Sequence, residues 1–327
     1  MRAIATHDLT KDYAIGFWRQ RPYRALDSLT LDVDAGEVFG FLGPNGAGKT
    51  TALKLLMRLV FPTSGHAELL GRPMGDVSVK RRIGYLAENP YFYDYLTAEE
   101  LLEYFAGLFG LGASERRART SRLLDEVGIG AERRMQLRKF SKGMLQRVGI
   151  AQALINDPEL VIFDEPMSGL DPLGRRAVRA LILSLRDKGV TVFFSSHVLS
   201  DAEALCSRVA ILAKGRLVTT GRLSEMLAFE VRGWELVVSH VADSLARTLE
   251  ARATRVVRLG EGRYCVDVPL GPSPDRLIAE LAAAGARLVS LNPLRETLED
   301  FFVREVTGLE AASAEGGPGA TAAGGRP

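Results

Sequence analysis

Two cysteines, Cys206 and Cys265, are all that 327 residues contain, and they lie far apart. This excludes a disulfide scaffold and a cysteine-based zinc site, and it fits a chain kept in a reducing, cytosolic compartment. Long apolar runs are missing as well. The most apolar stretch, TALKLLMRLVF, is broken by Lys54 and Arg58 and falls short of the about 18 clean residues that a membrane span requires. The opening MRAIATHDLTKDY has no apolar core of the kind a secretion signal carries. Any membrane role is therefore expected to come through a partner. Charge of one sign is also absent. The 42 Lys and Arg against 40 Asp and Glu leave a formal net charge of +2, which gives no overall pull toward nucleic acid. Small basic clusters near 19–24 and 138–142 read as solvated faces. No heptad run and no internal repeat is visible. What is present is 46% hydrophobic residues, enough to core one large or two ordinary domains.

Against that background one segment is specific. GPNGAGKTT, residues 43–51, follows the apolar run EVFGFL and opens onto the helical stretch TALKLLMRLV. It fits the phosphate-loop pattern G-x-x-x-x-G-K-[ST] in the strand-before, helix-after context the pattern needs. Gly43, Gly46 and Gly48 allow the backbone to coil so that its N–H groups point inward at phosphate oxygens. The following helix adds the positive end of its dipole. Lys49 can reach β- and γ-phosphates, and the Thr50 hydroxyl can help to hold Mg²⁺. The segment implies a nucleoside triphosphate site.

The rest of the chain divides by pattern. Residues 1–87 read as short strands and turns, with a hairpin or loop at YAIGFWRQRPYR carrying Phe17 and Trp18. Residues 98–128 turn helical, with a weak capping signal at Ser114–Arg117, and MLQRVGIAQALI continues as a helix. From LVIF (160–163) onward strands and helices alternate, which argues for a mostly parallel sheet wrapped by helices. A new unit begins near Arg222 and runs strand, helix, strand, strand, helix, strand, the ferredoxin-like order, before a last helix at RETLEDFFVREV. The Gly/Ala/Pro-rich end, 310–327, has no core formers and reads as disordered.

Two acids follow the apolar strand in LVIFDE. Asp164 at the strand's carboxyl end suits Mg²⁺, and Glu165 suits a general base for water. These residues stand in a series with FSKGMLQRV (140–148), SGLD (168–171), SSHVLSDAE (195–203) and Tyr13 in LTKDY. The series, in this order, resembles the ATP-binding cassette (ABC) ATPases, and the resemblance covers residues 1 to about 221. Ser141 and Gly143 match the family's LSGGQ signature, while Phe140, Lys142 and Met144 depart from it. Glu88, in IGYLAENP, stands where the family keeps a glutamine.

The resemblance implies a P-loop ABC ATPase domain over 1–221, a mixed α/β sheet with a helical subdomain at about 89–156. An accessory ferredoxin-like α+β domain would occupy 222–309. It implies ATP and Mg²⁺ as ligands. Lys49 and the backbone of Gly43, Pro44, Asn45, Gly46, Ala47, Gly48 and Thr51 would hold the phosphates. Thr50, Asp164 and Glu88 would lie at the metal, Glu165 would activate water, His197 would contact the γ-phosphate, and Tyr13 would stack on adenine. Ser141 and Gly143 would face the ATP of an opposing cassette, giving a head-to-tail homodimer or a pair with a second ABC subunit, with Asp171 at the seam. The NPYFYDYL segment and the C-terminal unit look like those of exporter-type (multidrug, lipid or polysaccharide) subunits. The expected partner is then a polytopic membrane permease, which would place the chain peripherally on the inner face of the cell membrane, with no nucleic acid involved. A soluble ABC ATPase acting on ribosomes or DNA is the alternative reading.

Overall fold

The computed structural model describes residues 1–16, 21–226, 231–270, 274–295 and 297–304. Phe17, Trp18 and the 310–327 tail lie outside the described residues. The chain forms two compact units, residues 1–223 and 224–304.

Apolar and alternating stretches form the strands of the first unit as the pattern requires. In chain order its elements are β1 (Arg2–Ile15), β2 (Arg21–Asp34), β3 (Val38–Leu42), α1 (Lys49–Leu56), β4 (Ser64–Leu69), β5 (Arg72–Pro73), α2 (Val77–Lys80) and β6 (Ile83–Leu86). Then come α3 (Ala98–Leu108), α4 (Ala113–Glu126), α5 (Lys142–Ala153), β7 (Leu160–Asp164), α6 (Pro172–Asp187), β8 (Thr191–Ser196), α7 (Leu199–Leu205), β9 (Arg208–Ala213) and β10 (Arg216–Arg222). Two sheets result. An antiparallel sheet has the order β2-β1-β4-β5, and a six-stranded sheet has the order β10-β9-β3-β8-β7-β6. The inner pairs β9–β3, β3–β8, β8–β7 and β7–β6 are all parallel. Their strands are buried on both faces, which is why VFGFL and LVIFD read as continuous apolar runs rather than alternating ones. Across β3 and β8, Phe193 stacks on Phe39 at a centroid distance of 5.8 Å and lies tilted against Phe41 at 5.3 Å.

The order β3-β8-β7 positions the site. These strands are distant in sequence but adjacent and parallel in space, so their carboxyl ends open at one edge. In open α/β sheets that edge is where ligands bind. Leu42 pairs with Ser196, and Asp164 with Ser195.

Between β6 and β7 the chain builds a helical subdomain from α3, α4 and α5. Thr97 starts α3 with a reciprocal capping box to Glu100. The weak signal at Ser114–Arg117 is not the cap of α4. That helix begins one residue earlier, at Ala113, with Gly112 as N-cap and no side-chain cap bond. Ser114 is therefore already inside the first turn, and without an acid three places on it had no partner with which to close a box. Leu101, Leu102, Leu123, Leu124, Val148 and Ile150 pack into one core with Leu86, Phe163 and Phe194 of the sheet. Helices and sheet edge thus share their buried face.

In the second unit, after α8 (Leu223–Met226) at its border, come β11 (Val231–Ser239), α9 (Asp243–Arg252), β12 (Arg255–Gly260), β13 (Arg263–Pro269), α10 (Pro274–Ala283) and β14 (Arg287–Arg295). The sheet order is β12-β13-β11-β14, antiparallel throughout. Counted within the unit this is the arrangement 2-3-1-4 of the ferredoxin-like fold. Leu236, Val238, Leu249, Tyr264, Val266 and Leu281 form its core. The final helix, 298–304, is opened by Thr297, whose Oγ1 accepts from the Asp300 N–H while Asp300 accepts from the Thr297 N–H.

Gly84 of β6 shows how closely α5 is laid on the sheet. A Cβ at this position would overlap the Ala153 carbonyl, a backbone atom at the end of α5. Gly84→Ala must push the helix away and is expected to cost about 1–3 kcal/mol, read as a lowered denaturant midpoint. An unchanged midpoint would show that the helix has room to retreat.

Candidate functional site

The loop between β3 and α1 depends on backbone that only glycine accepts. Gly48 has φ +103°, and a Cβ on it would run into the Ala25 carbonyl; one on Gly43 would run into the Leu212 carbonyl. Gly48 is also the N-cap of α1 and supplies no side chain to the helix's first N–H groups. Those donors face outward at the sheet edge, the arrangement that binds anions.

A cleft of about 380 Å³ opens there. Asn45, Gly46, Ala47, Gly48, Lys49, Thr50 and Thr51 line it, together with Tyr13, Tyr23, Ala25, Glu88 and Glu165. The loop and the residues brought by β1, β2 and β7 therefore meet in one place. Gly43 and Pro44 contribute from behind, where their carbonyls accept from Lys49 Nζ at 2.7 and 3.2 Å. Lys49 is only 6% exposed. Tyr13 lies directly across the strand pair from Tyr23, with Lys11 Nζ 5.0 Å from its ring centre. The family resemblance pointed to Tyr13 but not to Tyr23, because only the β1–β2 register brings the second ring to the cleft.

Behind the loop lie the acids. Asp164 ends β7 and is buried. Its Oδ1 accepts from Ser195 Oγ at 2.6 Å, while its Oδ2 is buried with no hydrogen-bond partner. A buried carboxylate oxygen left without a donor is costly, and a cation beside Thr50 would satisfy it. The donor set of a carboxylate and a hydroxyl suits a hard divalent ion such as Mg²⁺. Burial pushes the Asp164 pKa up, the Ser195 and Thr50 hydroxyls pull it down, the charge of Glu88 raises it, and Lys49 lowers it; the balance is upward.

Glu165 is held at several atoms. Its φ is +52°, a region that costs a non-glycine residue about 1–3 kcal/mol. Its N–H donates to Ser195 Oγ at 2.9 Å. Its Oε1 lies 3.4 Å from Lys49 Nζ, and its Oε2 lies 2.8 Å from His197 Nδ1. A carboxylate only accepts, so Nδ1 carries the proton of that bond. His197 does not line the cleft itself and reaches Glu165 from the other side, from the turn after β8. Ser195 serves both acids at once. Local pattern held no sign of this, since a serine in SSHVLSDAE acquires this position only through the pairing of β8 with β7.

Ser141 and Gly143 are not brought to this cleft. Ser141 is the N-cap of α5, its Oγ accepting from the Met144 N–H, and Gly143 packs beneath Leu170. Asp171 caps α6 by accepting from the Gly174 N–H. A larger cleft of about 460 Å³ lies at the opposite, amino-terminal ends of β7 and β8, near Pro158 and Thr191, and mixes charges of both signs without a convergent set.

The upward shift of Asp164 has a definite sign in stability. A folded carboxyl that holds its proton more tightly than the unfolded chain favours folding below 3.8 and loses that contribution as pH rises through its raised value. In nucleotide- and metal-free protein, Asp164→Asn is expected to be more stable than the parent at neutral pH, with the gap closing as pH falls toward 3.8. Denaturant midpoints across that range check it, and a gap independent of pH would refute it.

Comparison with known proteins gives a consistent picture. The family profile described as ABC transporter matches residues 26–168. An uncharacterised ABC transporter ATP-binding protein of Synechocystis sp. is 46% identical over 305 residues, covering 93% of this chain and 84% of that protein. Nod factor export ATP-binding protein I of Burkholderia thailandensis is 34% identical, covering 87% of this chain and 92% of the relative. Among solved structures, the dimeric ATP-binding cassette MJ0796 in a post-hydrolysis state bound to ADP and Pi aligns with a TM-score of 0.63 and 26% identity, over 67% of this chain and 98% of that one. No described helix is long and apolar enough to cross a membrane. The chain is an ATP-binding, ATP-hydrolysing transport subunit and belongs to the family of ABC transporter ATP-binding proteins.

Proposed function

We propose that the chain drives an exporter: it closes head to tail with a second cassette over two ATP molecules and works a separate polytopic membrane permease from its cytoplasmic side. The observation that carries the chemistry is the Glu165 carboxylate, held between Lys49 and His197 next to the partnerless oxygen of Asp164. Thr50 and Asp164 would hold Mg²⁺, with Glu88 beside them. That ion, when bound, neutralises charge that develops on the phosphate oxygens. Lys49 turns from Glu165 to the β- and γ-phosphates, which are better acceptors than the loop carbonyls. Freed of that pair, Glu165 takes a proton from the attacking water as the bond between the γ-phosphorus and the bridging oxygen breaks. His197 holds the carboxylate in line and contacts the γ-phosphate. Tyr13 stacks on the adenine.

Closure is a matter of differential binding. Ser141 and Gly143 open α5 outside their own cleft, and a γ-phosphate held on a partner's loop suits that helix end. Hydrolysis removes the bridge and reopens the pair. The dimeric form of the MJ0796 cassette supports this assembly. The permease would be read through Tyr91, Tyr93 and Tyr95, which are 97%, 55% and 61% exposed, while Phe92 packs inward and anchors them. Export is supported by the relation to the Nod factor export protein. We assign 1–221 to the cassette and 222–309 to an accessory domain that braces or regulates the dimer. The alternative of action on ribosomes or DNA draws no support from these relatives.

Glu165→Gln is expected to lower turnover by about 10²–10⁴-fold while ATP still binds, and to trap a dimer on size exclusion in MgATP; a variant that turns over normally would refute the base. Lys49→Ala is expected to lose ATP affinity itself, measured by calorimetry, and unchanged binding would count against the loop. Tagged protein from detergent-solubilised native membranes is expected to copurify one polytopic membrane protein. Ribosomal or DNA-repair proteins in its place would move the assignment to the soluble alternative.

A further inference from the structure

Gln146 is 1% exposed and lies on α5, the helix opened by Ser141. Its companions on the buried face are Val148, Gly149, Ile150 and Ala151. An apolar side chain of equal length would pack there with no polar atom left to satisfy. Gln146 instead donates from Nε2 to the backbone carbonyl of Glu165 at 3.2 Å. The same carbonyl accepts from the Ser168 N–H at 3.0 Å, and the Glu165 N–H donates to Ser195 at 2.9 Å. Of these three ties, two come from segments that follow β7 or end β8. The third crosses from the helical subdomain.

We propose that Gln146 is a positioning residue for the Glu165 carboxylate, acting by holding the peptide that sets the direction of its side chain. The inference rests on the role of Glu165 as the base for the attacking water. The physical reason is the left-handed backbone at Glu165, whose φ is +52°. A residue in that region relaxes toward ordinary backbone unless its peptide groups are fixed on both sides. With the carbonyl released from one of its two donors, the peptide can swing and carry the carboxylate with it. A misplacement of about 1 Å is enough to cost about 100-fold in rate. Gln146 is not among the residues that line the cleft, so ATP binding is left alone. The link also ties the turn at Ser141 to Glu165 through a single helix, so the element that would meet a partner's phosphate also steadies the chain's own base.

The test uses the full-length protein and three variants. Gln146→Met keeps the length and packing and removes the donor. It is expected to lower kcat by about 10- to 100-fold with KM for ATP and the unfolding midpoint unchanged. Gln146→Glu supplies a donor only when protonated, and burial raises a carboxyl's pKa toward neutrality. Its activity relative to wild type is expected to rise as pH is lowered from about 8 to about 6, while the ratio for Gln146→Met stays flat. A Gln146→Met protein with wild-type kcat overturns the inference. So does a loss expressed in ATP affinity or stability with a flat pH ratio for Gln146→Glu, since that marks packing alone. Glu165→Gln is run alongside. If it hydrolyses ATP normally, the base assignment fails and this inference with it. If it is inactive while Gln146→Met behaves as wild type, only the role of Gln146 falls.

Discussion

Glu165 is held in a left-handed backbone conformation by hydrogen bonds from β8 and from the turn next to it in sequence, and much of the cassette is arranged to keep it so. The strain is about 1–3 kcal/mol, and each backbone hydrogen bond contributes about 0.5–1.5 kcal/mol net, so the ties and the strain are of one magnitude. Without the neighbouring strand the residue would relax. Its carboxylate would then no longer lie between Lys49 and His197. The conformation is therefore a property of the sheet rather than of the residue.

That dependence explains the strand order. A parallel sheet needs long crossovers between neighbours, and this chain uses them to bring three segments from different parts of the sequence to one edge. The phosphate loop comes after β3, Ser195 and His197 come at the end of β8, and Asp164 and Glu165 come at the end of β7. With β8 in the middle, one hydroxyl can donate to Asp164 and accept from the Glu165 backbone. Stacked phenylalanines and runs buried on both faces keep these strands from sliding, because a slip of one residue would turn every side chain to the opposite face. Core packing and the geometry of the acids are thus one problem.

The helical subdomain shares its core with the same sheet, through Leu86, Phe163 and Phe194. Its helix α5 approaches β6 so closely that Gly84 has no space for a methyl group. Ser141 therefore stands at the end of a helix fixed to the sheet, outside its own cleft. The second unit is built on other terms. Its four strands are antiparallel in the 2-3-1-4 order, and its core is its own.

Much of this was legible in the residues. GPNGAGKTT between an apolar strand and a helix pointed to a phosphate loop, because its glycines, lysine and threonine fall at the spacing such a loop needs, and Asp164 and Glu165 after LVIF pointed to a strand end. Alternation in the last third predicted the ferredoxin-like order, since periods of 2 and 3.6 are written directly in the sequence. The start of α4 was not legible, because Gly112 leaves no side-chain signal. Nor were the contacts of Ser195, Tyr23 and Gln146, because each acquires its place from a partner far along the chain: Asp164 across β7–β8, Tyr13 across β1–β2, and Glu165 across the subdomain border. The sequence by itself determined which groups the cleft contains, through local pattern and spacing. Tertiary structure alone decided which of them touch, because hydrogen bonds between strand ends depend on register, and register is settled only when the whole sheet packs.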